Sequence, residues 1–238
     1  MKAVAIVQAR ASSTRLPGKV LMDLGGHSVL WHVLTRCASI PGIDEVCCAV
    51  PEGADHDPVA AEAEAAGADT YRGAEHDVLD RYREAARATA ADVILRVTSD
   101  CPLIDPWLCG EVLEAVRHGA DYAANNFTHG YPHGLDCEAF TRDSLELCWV
   151  RAEREAEREH VTPWLRTANG IDRVSLEGPG GDAASWRWTL DYPEDLDFLR
   201  SVCARLGPSA STAGWQEVAD LLRREPALLG LNAARAQR

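Results

Sequence analysis

The stretch Gln8-Ala9-Arg10-Ala11-Ser12-Ser13-Thr14-Arg15-Leu16-Pro17-Gly18-Lys19-Val20 puts two arginines, a lysine, three hydroxyls and a glycine into one short segment. Arginine forks and a lysine point charge neutralise phosphate oxygens, while backbone amides and hydroxyls of such a loop can wrap a phosphate chain. Ser12, Ser13 and Thr14 fit either that role or the plainer one of turn formers. The segment is not a Walker loop, because Val20 follows Gly18-Lys19 where that motif needs Ser or Thr. Asp136 and Glu138 alternate on what reads as a strand, which places both on one side, a costly arrangement in a core without a cation or donors. His129 and His133 stand four apart around Gly130-Tyr131-Pro132, with no cysteine or carboxylate at ligand spacing, so zinc is not expected.

The elements that must position these groups follow from the apolar pattern. Val4-Ala5-Ile6-Val7 is a continuous apolar run, as in a parallel strand buried on both faces, and it leads directly into the basic loop. Helical spacing from Ser28 to about Ser39, with Ser28 as N-cap, precedes a strand at 46–50. Helices are expected near 57–66 and 77–90, strands at 70–72 and 93–97, and a further helix at 106–118. This alternation implies an α/β fold with a mostly parallel, mixed sheet flanked by helices. Ligands in such sheets bind beyond the carboxyl ends of the strands, which points to loops 9–19 and 98–105. Segment 121–140 reads as two strands around a turn, 142–167 as largely helical, and 172–190 as a β pair broken by Gly178-Pro179-Gly180-Gly181. Helices at about 193–206 and 214–224 and a polar Ala/Arg tail complete the chain. One domain, residues 1–238, with a small cap at about 121–185 inserted in it, is the expected organisation.

The 238 residues carry 24 basic and 37 acidic side chains, a net charge of −13, which argues against a general nucleic-acid or anionic-membrane binder. Residues 1–36 nevertheless hold Lys2, Arg10, Arg15, Lys19 and Arg36 against Asp23 alone, so a small anionic ligand is expected near that end. No apolar run spans a bilayer and no signal-peptide h-region opens the chain. The eight cysteines form no C-x-x-C pair and mostly sit in apolar runs, as expected of buried thiols in the cytoplasm.

Residues 8–21 (QARASSTRLPGKVL) resemble the signature loop of the sugar nucleotidyltransferases that make CMP-activated acids, among them the 3-deoxy-manno-octulosonate and acylneuraminate cytidylyltransferases. YRGAEHDVLDRY (71–82), RVTSDCPLIDP (96–106), YPHGLDCEAF (131–140), REHVTPWL (158–165) and TLDYPEDLDFLR (189–200) narrow the resemblance to the spore-coat-polysaccharide type. It runs over roughly residues 3–206, with the helix after 214 outside it. The resemblance implies a nucleotide-diphospho-sugar transferase core like that of the A-type glycosyltransferases. It also implies transfer of CMP from CTP to an acceptor oxygen of a sugar or sugar-like acid, Mg2+ as cofactor, and a homodimer.

Carried over position by position, the resemblance makes Arg10, Lys19 and Asp100 catalytic and Asp100 and Asp191 the metal ligands. Arg10, Arg15 and Lys19 fall to the triphosphate, Ala9, Ser12 and Ser13 to the nucleotide as further residues of the same loop, Arg72 and Gly73 to the base, and Ser99 to base or ribose. The expected acceptor residues are Asn126, Tyr131, Asp136, Glu138, Glu159 and His160. Asp136 and Glu138 would orient sugar hydroxyls or assist the metal. Glu159-His160 would act as acid/base, position the acceptor, or be structural. Arg81, with Asp80, reads as a pair on a solvated helix face or a weaker base contact. Another NTP on the same fold, or a glycosyltransferase consuming a nucleotide sugar, remain the alternatives. The second lacks an Asp-x-Asp metal motif at Asp100-Cys101-Pro102. A non-catalytic nucleotide sensor would have lost the aspartates that are present here.

Overall fold

A computed structural model describes residues 1–236; Gln237 and Arg238, the end of the polar tail, lie outside the described residues. The apolar run at the N-terminus is β1 (Ala3–Gln8), and its side chains divide between two cores as the pleat requires. Ala3, Ala5 and Val7 enter one core with α1 (Val29–Ala38), α2 (Asp57–Ala65) and α4 (Pro106–Arg117). Val4 and Ile6 enter the other with α3 (Val78–Ala88), α5 (Arg142–Arg151) and α7 (Pro163–Thr167), and α6 (Glu155–His160) packs against α3 and α7. A strand apolar on every residue is stable only when both faces are covered in this way.

The strands in chain order are β1, the short hairpin β2 (Asp23–Leu24) and β3 (His27–Ser28), β4 (Glu45–Pro51), β5 (Asp69–Gly73), β6 (Val93–Thr98), β7 (Tyr122–Ala124), β8 (Glu138–Thr141) and β9 (Arg173–Ser175). Apart from the hairpin they form one seven-stranded sheet in the order β5-β4-β1-β6-β8-β7-β9. β5, β4, β1 and β6 run parallel, β8 is antiparallel to both neighbours, and β7 pairs β9 in parallel. From β1 the chain moves outward to β4 and β5 on one side and returns to β6 on the other. The carboxyl ends of β1 and β6 therefore form the topological switch point, from which loops 9–19 and 99–105 depart.

Two expectations need revision, and a third, the largely helical 142–167, holds in finer form. Residues 121–185 do not stand apart as a cap, because β7, β8 and β9 complete the main sheet. The helical stretch at 142–167 is three helices, broken at Ala152 and at Val161, whose φ of +69° no helix accommodates. No β pair forms within 172–190: β9 pairs with β7, and the glycine turn instead packs on residue 130, since a Cβ on Gly178 would meet the Gly130 carbonyl carbon at 2.3 Å. α8 (Pro193–Leu206) and α9 (Trp215–Arg224) build a third apolar cluster with Leu16, Leu24, Trp188 and Leu190, which braces the base of the basic loop.

Candidate active site

At the switch point lies a cleft of about 270 Å³. The basic loop supplies Ala9, Arg10, Ser12, Ser13, Arg15 and Lys19, the end of β6 supplies Ser99 and Asp100, α6 supplies Glu159 and His160, and Asp191 closes the set. Two aspartates 91 residues apart in the chain thus face one cleft, because Leu190 N–H donates to the Asp100 carbonyl at 2.8 Å and seats the 188–191 segment beside the β6 loop. Gly134 permits a second close approach there. Its φ is +112°, and a Cβ would lie 2.6 Å from the Trp188 carbonyl carbon.

Lys19 is the centre of the charge arrangement. Its ammonium donates to Asp100 Oδ2 at 2.9 Å, Asp191 Oδ1 at 3.0 Å and the Leu190 carbonyl at 2.7 Å. Asp191 also accepts from Arg15 at 2.5 Å and from Arg187 at 2.8 Å. Burial opposes its ionisation, but Lys19, Arg187 and Arg15 bring the Asp191 carboxyl down to about 2. For Asp100 the same contest between burial and the Lys19 ammonium ends below the ordinary carboxylate value. Arg187 is held from behind by Asp195, at 2.9 and 3.0 Å, and Asp195 also accepts the Asp191 and Tyr192 amides at 2.9 and 3.0 Å. Asn232, from the far end of the chain, donates to Asp195 and to the Arg187 carbonyl, each at 3.0 Å. The carboxylate of Asp191 is therefore pinned on both sides.

Arg10 is exposed at the cleft, and among the described residues it has no carboxylate partner. A guanidinium left without a counter-charge beside a lysine is suited to an anionic ligand. Ser13 serves the loop itself, since its hydroxyl accepts the Leu16 amide at 3.4 Å. Arg81 does not lie on a solvated face: it is 2% exposed and lines the cleft. It donates to the carbonyls of Ala74 and Glu75 and so fixes the 73–77 segment. Gly73 makes room for it, as a Cβ there would meet Tyr71 at 2.9 Å and Arg81 at 3.2 Å.

Other expected residues lie elsewhere. Arg72 points away from the cleft to an ion pair with Asp57 at 2.6 Å. Asn126 is tied to Arg166 at 2.6 Å, and Tyr131 packs edge-on against Trp215 with ring centroids 5.6 Å apart. Asp136 precedes β8 and accepts the Gly134 amide at 2.9 Å, so it does not share a strand face with Glu138. Glu138 is 3% exposed and cannot meet an acceptor. It binds Arg96 at 2.7 Å, Arg166 at 2.9 Å, Tyr122 at 2.5 Å and Thr162 at 3.0 Å, as a buried charge must. Burial works against its charge, yet Arg96 and Tyr122 hold it below the usual glutamate range. Arg187 and Asp195 were missed, although an arginine between Trp186 and Trp188 signals a buried cation that needs a carboxylate.

An anion-binding loop facing paired carboxylates at the switch point of a parallel sheet is the arrangement of a nucleotide-binding α/β transferase. Residues 4–195 match the family model described as Cytidylyltransferase, and the chain belongs to that family. It is similar to the spore coat polysaccharide biosynthesis protein SpsF of Bacillus subtilis (strain 168), 31% identical over 229 residues that span 93% of this chain and 94% of that protein. It is also similar to the 3-deoxy-manno-octulosonate cytidylyltransferase of Anaeromyxobacter sp. (strain Fw109-5), 37% identical over 242 residues, 84% of this chain and 96% of the relative. A solved cytidylyltransferase from Leptospira borgpetersenii serovar Hardjo-bovis (strain JB197) matches the fold with a TM-score of 0.91 at 26% identity, over 96% of this chain and 97% of that one. The expected nucleotidyltransferase core is thus the observed one.

Proposed function

We propose that this protein transfers CMP from CTP to an acceptor oxygen of a sugar or sugar-like acid and releases pyrophosphate. The observation that carries this reading is the Lys19 ammonium set between Asp100 and Asp191, in a cleft where Arg10 has no carboxylate partner among the described residues. Cations fixed on the loop side bind the triphosphate and stabilise the negative charge that develops on pyrophosphate as the acceptor oxygen attacks the α-phosphorus. Their geometry is preset by the fold, so little reorganisation is needed during the reaction. Glu159 and His160 on α6, exposed and lining the same cleft, would orient the acceptor.

The donor set suits Mg2+. Asp100 and Asp191 both reach one cation, at 2.9 and 3.0 Å from the Lys19 nitrogen, and magnesium takes a few carboxylate oxygens with phosphate and water for the rest. When bound, magnesium supplies charge neutralisation and alignment of the phosphates. A homodimer follows from the family resemblance. A cytoplasmic setting is supported by eight cysteines that are all free and buried. Among the described residues no helix is long and apolar enough to cross a membrane.

The test is pyrophosphate release from each of the four NTPs, with Mg2+ and 3-deoxy-manno-octulosonate as the first acceptor of a panel of sugar acids. Release is expected with CTP and acceptor together and is abolished by EDTA. Release with UTP or a purine NTP but not CTP refutes the base assignment, and release that ignores EDTA refutes the metal.

A further inference from the structure

His56 is 4% exposed and ends the 3-10 turn Ala54–His56 that follows β4. Its Nδ1 accepts a hydrogen bond from the Ala11 amide at 3.2 Å. A ring nitrogen that accepts carries no proton, so the proton resides on Nε2, which faces Glu75 Oε1 at 3.7 Å. The Ala11 carbonyl accepts the Gly18 amide at 3.2 Å, so Ala11 is the point where the basic loop closes on itself. His56 holds that point from outside.

The anchor matters because of what lies on either side of the loop. Behind Ala11 and Ser12 is a second cavity of about 390 Å³ whose wall carries Glu52, Asp55 and Glu75. In front is the cleft with Arg10, Arg15 and Lys19. The loop is a partition between an acidic space that repels phosphate and a basic one that attracts it. A loop released from His56 would sample positions that turn its backbone toward the acidic side.

We propose that His56 is a positioning residue for the nucleotide: it fixes the phosphate-binding loop through the Ala11 amide, and its loss weakens CTP binding without slowing the chemical step. This rests on the reading of the cleft as the CTP site. Two amide side chains separate this role from simple packing. Asparagine places Oδ1 where His56 has Nδ1 and is also a favoured residue ahead of α2, where His56 stands as N-cap. Glutamine reproduces the Nε2 position instead. His56→Asn is expected to keep the KM for CTP within about twofold, while His56→Gln and His56→Ala raise it about 5- to 10-fold, the range of one neutral hydrogen bond. kcat stays within about twofold in all three.

Amide hydrogen exchange at Ala11, followed by NMR on the full chain, reads the anchor without catalysis: exchange should rise at least tenfold in His56→Gln and stay near wild type in His56→Asn. Equal KM values in the Asn and Gln variants, or unchanged Ala11 exchange in His56→Gln, overturn the proposal. A wild-type protein that releases no pyrophosphate from CTP refutes the reading of the cleft, while Ala11 exchange still decides the anchor.

Discussion

Replacing Lys19 with methionine keeps the unbranched stem of the side chain, one atom shorter, and removes the charge that joins the two aspartates. The Asp191 carboxyl, held at about 2 against an ordinary 3.8, corresponds to roughly 2 kcal/mol of stability at neutral pH. A depressed carboxylate stabilises above its unfolded value, so this contribution is complete above about pH 4 and is lost as the pH falls through 2. In Lys19→Met, Asp191 retains Arg15 and Arg187, but Asp100 loses the one ion-pair partner it has among the described residues. Burial then dominates, and the Asp100 carboxyl moves above its unfolded value. The folded variant takes up a proton that the unfolded chain does not, so its stability deficit is greater at pH 7.5 than at pH 4.5. We expect a deficit on the order of 2 kcal/mol at pH 7.5 and a smaller one at pH 4.5, where Asp100 is neutral in the folded variant while the pairing lost from the wild type is still intact, in urea titrations at both values. The same variant should lose about 10²- to 10³-fold in kcat for pyrophosphate release, as when one fixed donor to a developing anion is removed. An unchanged kcat, or a deficit equal at the two pH values, refutes the reasoning.

Arg10→Ala should raise the KM for CTP about tenfold with no change in melting temperature, because the side chain is exposed and has no carboxylate partner among the described residues. Glu138→Gln should cost about 3–5 kcal/mol in urea unfolding, since it leaves Arg96 and Arg166 without their buried counter-charge, while the acceptor KM of the folded fraction stays the same. Asn232→Ala removes two buried hydrogen bonds to the group behind Asp191 and should destabilise by about 1–3 kcal/mol, read by the same titration.

The parts legible from the residues alone were local ones. Val4-Ala5-Ile6-Val7 read as a strand covered on both faces, which put the basic loop that follows it at a strand's carboxyl end. Asp100 and Asp191 were found through short motifs, each readable without its partner. What escaped was every role set by a distant neighbour. Glu138 in a strand looks the same whether it meets a sugar or a buried arginine, and Arg96, 42 positions earlier, decides between them. Arg81 shares a helix with solvated charges, yet the packing of α3 on the sheet turns it into the core. Apolar periodicity is a property of neighbouring residues and specifies elements and their buried faces. The pairing of β6 with β8, the seat of residues 188–191 beside Asp100 and the hold of His56 on Ala11 depend on which elements pack together. Buried charge tolerates only the arrangement in which each group finds its partner, and that arrangement exists only in three dimensions.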